Sequence, residues 1–267
     1  MKHFRILAVL AMITLLFQSC NLFSAAGLSS QGQPIKEVQG ELISTITDSS
    51  VNMDHSQWDE LLKKHVDSNG MVNYKGFQKD STALASYLKM LSANAPTYGW
   101  SVQELLAYYI NTYNAYTVQA ILDNYPVQSI KDISGVWIGG SIPIADNQLS
   151  LAGVENGVLR KMNEPRIHFA INCASISCPK LLNEAFTASK INEQLDRVTR
   201  EFINSDKNEL SAKHPKISSI FDWYAKDFTV NGKQDVIGFI NLYSDGKVDN
   251  KVKLQYKAFN WNLNEQD

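Results

Sequence analysis

The stretch 165–179 holds His168, Cys173 and Cys178 in one short segment, the residue types from which a thiol nucleophile and its base are made. A cysteine nucleophile needs a neighbouring base to form the thiolate, and the base needs a third group to orient it. Cys178, His168 and Glu155 supply those types, with Cys173 as a second thiol. Pro179 suits the first position of a helix, so Cys178 would stand at a helix N-terminus, where the dipole lowers a thiol pKa. Ile167, Phe169 and Ile171 alternate with His168, Ala170 and Asn172, the period of a strand with one face in a core. On that reading His168 and Asn172 share the polar face. Cys173 turns toward the core, and the loop 174–177 carries Cys178 back toward His168.

The same residues have structural readings. With Cys20 set aside only Cys173 and Cys178 remain, and in an exported chain a disulfide closing a tight loop is the simplest expectation for them. His168 would then bond a core carboxylate such as Glu155. A zinc site lacks a fourth ligand, and the cysteine pair lacks the two-residue separation of a thioredoxin-type motif. Asp67-Ser68-Asn69-Gly70 resembles the start of a calcium loop, but no glutamate falls at the twelfth position and these are also the residues of a tight turn. No metal and no cofactor is expected.

The element that must position these groups is a helix over Val102–Asn124. Ser101 and Glu104 form a capping box with Trp100 and Leu105 as its staple, and Tyr125-Pro126 ends it. Leu106, Tyr109, Ile110, Tyr113, Val118 and Ile121 place apolar side chains almost all round it, which predicts a buried central helix. Asn111 and Asn114 lie on one face of that helix and need polar partners, either a loop backbone or a site. As site residues, they and Asn172 would hold an oxyanion or a substrate amide. Ser150 caps a helix that carries Glu155 and Arg160, the latter a further candidate for substrate binding. Amphipathic helices are predicted at 57–66, 81–91 and 191–202, a buried helix beginning at Ser219 and a short one over 235–243, with a strand through Val252, Leu254 and Tyr256.

Composition limits the class. The chain has 267 residues, 44% of them hydrophobic, enough for one sizeable core. A formal charge of -2 leaves no basic footprint for nucleic acid, which is not expected as a partner. Lys2 and Arg5 precede the apolar run 6–17, too short to span a bilayer, and the run ends in Gln18-Ser19-Cys20. Residues 1–20 therefore read as a signal peptide whose lipobox-like end makes Cys20 the lipidated first residue of the mature chain. Phe17 departs from the usual leucine, and ordinary cleavage is the alternative. Residues 21–54, rich in Ser, Gly, Gln and Thr, read as a flexible tether, and 55–267 as a single globular domain.

Several motifs together resemble one family. These are Tyr109-Ile110-Asn111-Thr112-Tyr113-Asn114-Ala115, Leu149-Ser150-Leu151 with Glu155 and Arg160, Arg166-Ile167-His168-Phe169-Ala170 with Cys173 and Cys178-Pro179, Ile220-Phe221-Asp222-Trp223-Tyr224 with Asp227-Phe228, and Trp261-Asn262-Leu263-Asn264. They look like the domain of unknown function 547, over about residues 55–264. The resemblance implies no settled reaction. The family pattern commonly has a histidine where this chain has Asn156, so a scheme needing a second histidine beside Glu155 is not supported here.

The expected architecture is α+β, a predominantly helical single domain with a small, largely antiparallel sheet around a buried central helix. The expected protein is a bacterial cell-envelope one, exported and lipid-anchored to the membrane. Its function is read as a thiol-dependent hydrolase or acyltransferase using Cys178, His168 and Glu155. The alternative is a non-catalytic module that binds a peptide or small-molecule ligand and carries a structural Cys173–Cys178 disulfide.

Overall fold

Ser101 and Glu104 close the start of the central helix reciprocally. The Glu104 amide donates to the Ser101 hydroxyl at 3.2 Å and the Ser101 amide donates to the Glu104 carboxylate at 2.8 Å. The helix runs Val102–Asn124 and stops at Tyr125, whose extended backbone precedes Pro126. In the computed structural model, which describes residues 20–44, 51 and 53–266, this helix is buried on nearly every side, as its residues imply. The helices Ser56–His65, Tyr74–Lys79 and Ser81–Ala93 pack together beside it. On another side the helix Ile191–Ile203 packs against a turn at Pro165–Phe169 and the helix Val236–Tyr243. Phe169, Phe202, Phe221, Phe228 and Phe239 form an aromatic cluster there.

The fold is α+β, as expected. Its described strands form three separate two-stranded pairs rather than one small sheet. Ile142–Ile144 with Asn147–Leu149 and Thr229–Val230 with Lys233–Gln234 are antiparallel, and Lys216–Ile217 with Gln255–Tyr256 is parallel. The strand expected through Val252, Leu254 and Tyr256 is reduced to Gln255–Tyr256, whose residues are exposed, so no core face extends it. Asp67 accepts from the Asn69 and Met71 amides at 2.8 and 2.9 Å, the bonding of a tight turn.

Two further expectations are corrected. The histidine segment is a 3-10 turn, Pro165–Phe169, not a strand. Pro165 presets φ for a helical turn and the Glu164 carboxylate accepts from the Arg166 amide at 3.1 Å, capping it. Arg166 to Ala170 are buried without exception, so the alternation of residue types marked no alternation of environment. The segment 21–54 is not wholly a tether, because residues 20–44 lie against the domain. Val38 and Leu42 are buried, the Val38 amide donates to the Met162 carbonyl at 2.8 Å, and the Tyr109 hydroxyl donates to the Pro34 carbonyl at 3.1 Å. These few apolar side chains are too sparse for a periodic signal. The leader 1–19 and residues 45–50 and 52 of the expected tether lie outside the described residues.

The two central-helix amides meet loop backbone. Asn114 Nδ2 donates to the Ala170 carbonyl at 3.0 Å while its Oδ1 accepts from the Asn172 amide at 2.8 Å. Asn111 grips both backbone groups of Phe186 in the same way, at 2.8 and 3.0 Å. Asn114→Ala leaves a buried carbonyl and a buried amide unpaired at about 1–3 kcal/mol each, so a loss of roughly 2–4 kcal/mol is expected from urea unfolding. Asn124→Ala, exposed on the last turn of the same helix, should stay within about 0.5 kcal/mol of the parent.

Candidate functional site: an aromatic cleft over a histidine, an acid pair and a disulfide

Ser150 starts the segment that carries the first site residues, its hydroxyl accepting from the Gly153 amide at 3.0 Å. The expected helix then widens into a π-turn over Gly153–Val158 before tightening to a 3-10 turn over Leu159–Met162. π-turns of this kind aim side chains that a regular helix would turn elsewhere. Here Glu155 and Asn156 line a cleft of 340 Å³. The other walls come from His168, the Cys173 and Cys178 pair with Pro179, and an aromatic set of Tyr113, Trp137, Trp223, Tyr224, Phe259 and Trp261.

Asp227 organises the polar groups around His168. Its Oδ2 accepts from His168 Nε2 at 2.8 Å and from Arg160 Nε at 2.6 Å, and its Oδ1 accepts from Arg160 Nη2 at 2.8 Å. Burial alone would raise the Asp227 pKa, but the hydrogen bonds and charges of His168 and Arg160 outweigh it and hold the carboxyl well below the usual aspartate range. An ionised carboxylate only accepts, so His168 Nε2 carries the hydrogen of that bond. His168 is 3% exposed and its Nδ1 has no hydrogen-bond partner among the described residues. Tyr224 lies between His168 and Arg160. Its ring stacks on His168 with centroids 4.0 Å apart, and the Arg160 guanidinium sits 5.2 Å from its centroid.

Glu155 forms a second polar group. Its two oxygens accept from the hydroxyls of Tyr224 and Tyr113, the latter at 3.4 Å. Burial and the facing Glu155 push both phenols far above their ordinary titration, so they remain donors across the working pH range.

Cys173 and Cys178 are disulfide-bonded, with Cα atoms 6.1 Å apart. Asn172 ties the base of their loop, Nδ2 donating to the Pro179 carbonyl at 2.7 Å and Oδ1 accepting from the Ala174 amide at 2.8 Å. The closing segment pairs with the loop, the Ile176 and Ser177 amides donating to the Asn262 and Asn260 carbonyls at 2.9 and 3.2 Å. That pairing carries Phe259 and Trp261 to the cleft.

Four of the sequence candidates therefore meet at one cleft: Glu155, His168, Cys173 and Cys178. Arg160 stands behind it as the partner of Asp227 rather than in the lining. Asn111, Asn114 and Asn172 bond loop backbone and do not line it, and Asn172 shares no face with His168 once the segment is a turn. The carboxylate that orients His168 is Asp227, not Glu155. Asp227 and Tyr224 were absent from the candidate residues although both stand in the motifs that carry the family resemblance. Their signal was the run Asp222-Trp223-Tyr224 with Asp227-Phe228, of which 219–224 is read as the start of a buried helix and Asp227 only as part of the family motif.

The depressed Asp227 pKa gives stability that is complete above the ordinary aspartate value near ~4 and fades as the pH falls below it. Asp227→Asn should cost about 2 kcal/mol at neutral pH, less than the roughly 3–5 kcal/mol of a fully buried pair because this carboxylate is partly wetted. In denaturant titrations the gap between variant and parent should close as the pH drops from 4 toward 2.

No curated protein and no solved structure matches the chain. Residues 97–203 match the family described as "Protein of unknown function, DUF547", a span that holds the central helix, Glu155, Arg160, His168 and both cysteines and stops before Tyr224, Asp227 and the closing aromatic segment.

Proposed function

We propose that the protein is an exported cell-envelope module, lipid-anchored through Cys20, that binds a peptide or small-molecule ligand in the aromatic cleft without turning it over. The observation that carries this reading is the Cys173–Cys178 disulfide in the cleft wall, which leaves no thiolate beside His168. What remains is a binding surface. Trp223, 48% exposed, stacks near Trp261 with centroids 6.0 Å apart, and Phe259 lies 4.9 Å from Trp223. Such rings suit a ligand with a flat apolar face, a sugar ring or an aromatic side chain, because the π-faces attract its C–H edges while excluding water. Glu155, Asn156 and His168 then offer hydrogen bonds to its polar edge.

A second reading is favoured by the unpartnered His168 Nδ1. If a dithiol reductant opened the disulfide, transferring two electrons and two protons, Nδ1 could take the Cys178 proton. The thiolate would then attack an acyl carbon of the bound ligand and expel its amine or alcohol, which takes the proton from Nδ1. Water or a second acceptor would break the thioester and restore the thiol, giving a hydrolase or acyltransferase with Asp227 as the orienting carboxylate.

Titration of the oxidised protein with cyclic sugars and with aromatic dipeptides, read by tryptophan emission, tests the first reading. Saturable binding without product is expected, and Trp223→Ala should weaken it about tenfold, the equivalent of one lost stacking contact of ~1.4 kcal/mol. Iodoacetamide should label neither Cys173 nor Cys178 until reductant is added. Rapid labelling of Cys178 without reductant, slowed by His168→Ala, would replace the binding reading with the thiol enzyme. Reduction itself should cost less than the ~3 kcal/mol of a 15-residue loop, since the closed loop is short.

A further inference from the structure

Residues 20–25 are helical and face the protein with the wrong side. Asn21 and Ser24 are buried, whereas Leu22 and Phe23 are 54% and 56% exposed. The polar side is held by close approach: a Cβ on Gly157 would stand 2.6 Å from Ser24 Oγ, and one on Gly140 would stand 2.4 Å from Asn21 Nδ2. Asn156 Nδ2 adds a bond to the Ala25 carbonyl at 2.8 Å. The helix ends in a Schellman turn, with Gly27 at φ +73° and the Leu28 amide donating to the Phe23 carbonyl at 2.8 Å. That turn folds the residue after the glycine back onto the last helical turn. Leu28 is thereby set beside Phe23, and it is 71% exposed. The neighbouring glycine-rich loop, whose Gly140 meets Asn21, exposes Ile138 as well.

An ordinary surface helix buries its apolar stripe and wets its polar one. Here the stripe is inverted, and it begins beside Cys20, an exposed free cysteine. We infer that Leu22, Phe23 and Leu28 form a bilayer-contacting face that docks the domain on the membrane holding its lipid. The inference rests on Cys20 as the lipid attachment point. A lipid at Cys20 has no tether behind it, because the following residues are already packed on the domain. Six helical residues rise only about 9 Å, so the side chains at 22, 23 and 28 stand within reach of the headgroup and upper acyl layer when the chain at Cys20 is inserted. No helix among the described residues is long and apolar enough to cross the membrane, so this contact lies in the interface plane. Asn156 belongs both to this junction and to the cleft lining. The docked face therefore holds the cleft at a fixed height over the bilayer, where its ligand must be met.

The test uses the full, processed chain in vesicles of phosphatidylethanolamine and phosphatidylglycerol, with a nitroxide on Phe23→Cys or Leu28→Cys and a control on Lys213→Cys. Mass spectrometry of the N-terminal peptide reads Cys20 acylation separately. The labels at 23 and 28 should be reached by oxygen and shielded from a water-soluble nickel chelate, at a depth of roughly 5–10 Å below the interface. The label at 213 should be fully open to nickel. Nickel access at 23 and 28 equal to that at 213, in acylated vesicle-bound protein, overturns the inference. Spin–spin broadening at 23 that survives transfer to detergent also overturns it, because the face would then meet a second copy of the chain. Unacylated Cys20 would end the anchor reading instead, and that outcome is read in the mass spectrum rather than in the nitroxide.

Discussion

The amide of Asn114, held at the centre of a buried helix, is the contact on which the rest of the site depends. One side chain takes both a carbonyl and an amide from the segment 170–172, and it does so from a helix whose own position is over-determined by packing on nearly every side. A loop fixed in this way inherits the rigidity of the core. His168 precedes that loop and the cysteines follow it, so a single buried amide sets the relative placement of three chemistry-bearing residues. Asn111 performs the same service for Phe186, and through it for the start of the helix Ile191–Ile203. Polar residues on an otherwise apolar helix are thus the means by which irregular chain is made precise in position without a large sheet to support it.

Charge is arranged with the same economy. Asp227 is shared by His168 and Arg160, and each of its oxygens is used. Arg160 also donates to Asn156 at 3.0 Å, which links the Asp227 group to the π-turn. A lone carboxylate at this depth would favour its neutral form, yet the hydrogen bonds of His168 and Arg160 with the guanidinium charge invert that preference. Glu155 is supported differently, by two phenols that stay protonated. The carboxylate that lines the cleft, Glu155, is therefore held by hydroxyls, while Asp227, outside the lining, is held by His168 and Arg160.

The extent to which the sequence disclosed this arrangement follows the range of the interactions concerned. The central helix was legible to the residue, because a capping box, an apolar circumference and a proline are all local signals. Of the residues expected to converge on one cleft, Glu155, His168 and both cysteines line it, whereas Asn111 and Asn114 are turned to loop backbone, a choice that residue type alone does not make. The histidine strand was misread because alternation of side-chain types indicates a strand only when one face is wet, and every residue from Arg166 to Ala170 is dry. Asp227 was missed for a different reason. It lies 59 residues from His168, and nothing local distinguishes a carboxylate that will be buried against an imidazole from one on a surface turn. The packed segment 20–44 escaped notice because backbone bonds and glycine gaps hold it, and neither leaves a hydrophobic period.

Glycine is what joins the N-terminal segment to the cleft. Gly153 and Gly157 flank Glu155 and Asn156, and both lie where any side chain would strike Ser24. The π-turn is thus pressed on its outer side by residues 20–29 and presents its carboxylate and amide to the cleft on the other. A methyl group at Gly157 would have to displace Ser29 backbone 2.6 Å away, which cannot be relieved by turning a flexible side chain. Displacing that segment would release the Asn156 amide from Ala25, and Asn156 is also the acceptor that steadies Arg160. The chain Ala25, Asn156, Arg160, Asp227, His168 is continuous in hydrogen bonds. What holds the first residues of the domain in place is physically the same network that holds the histidine, so the seating of the N-terminal helix and the geometry of the cleft cannot be varied independently.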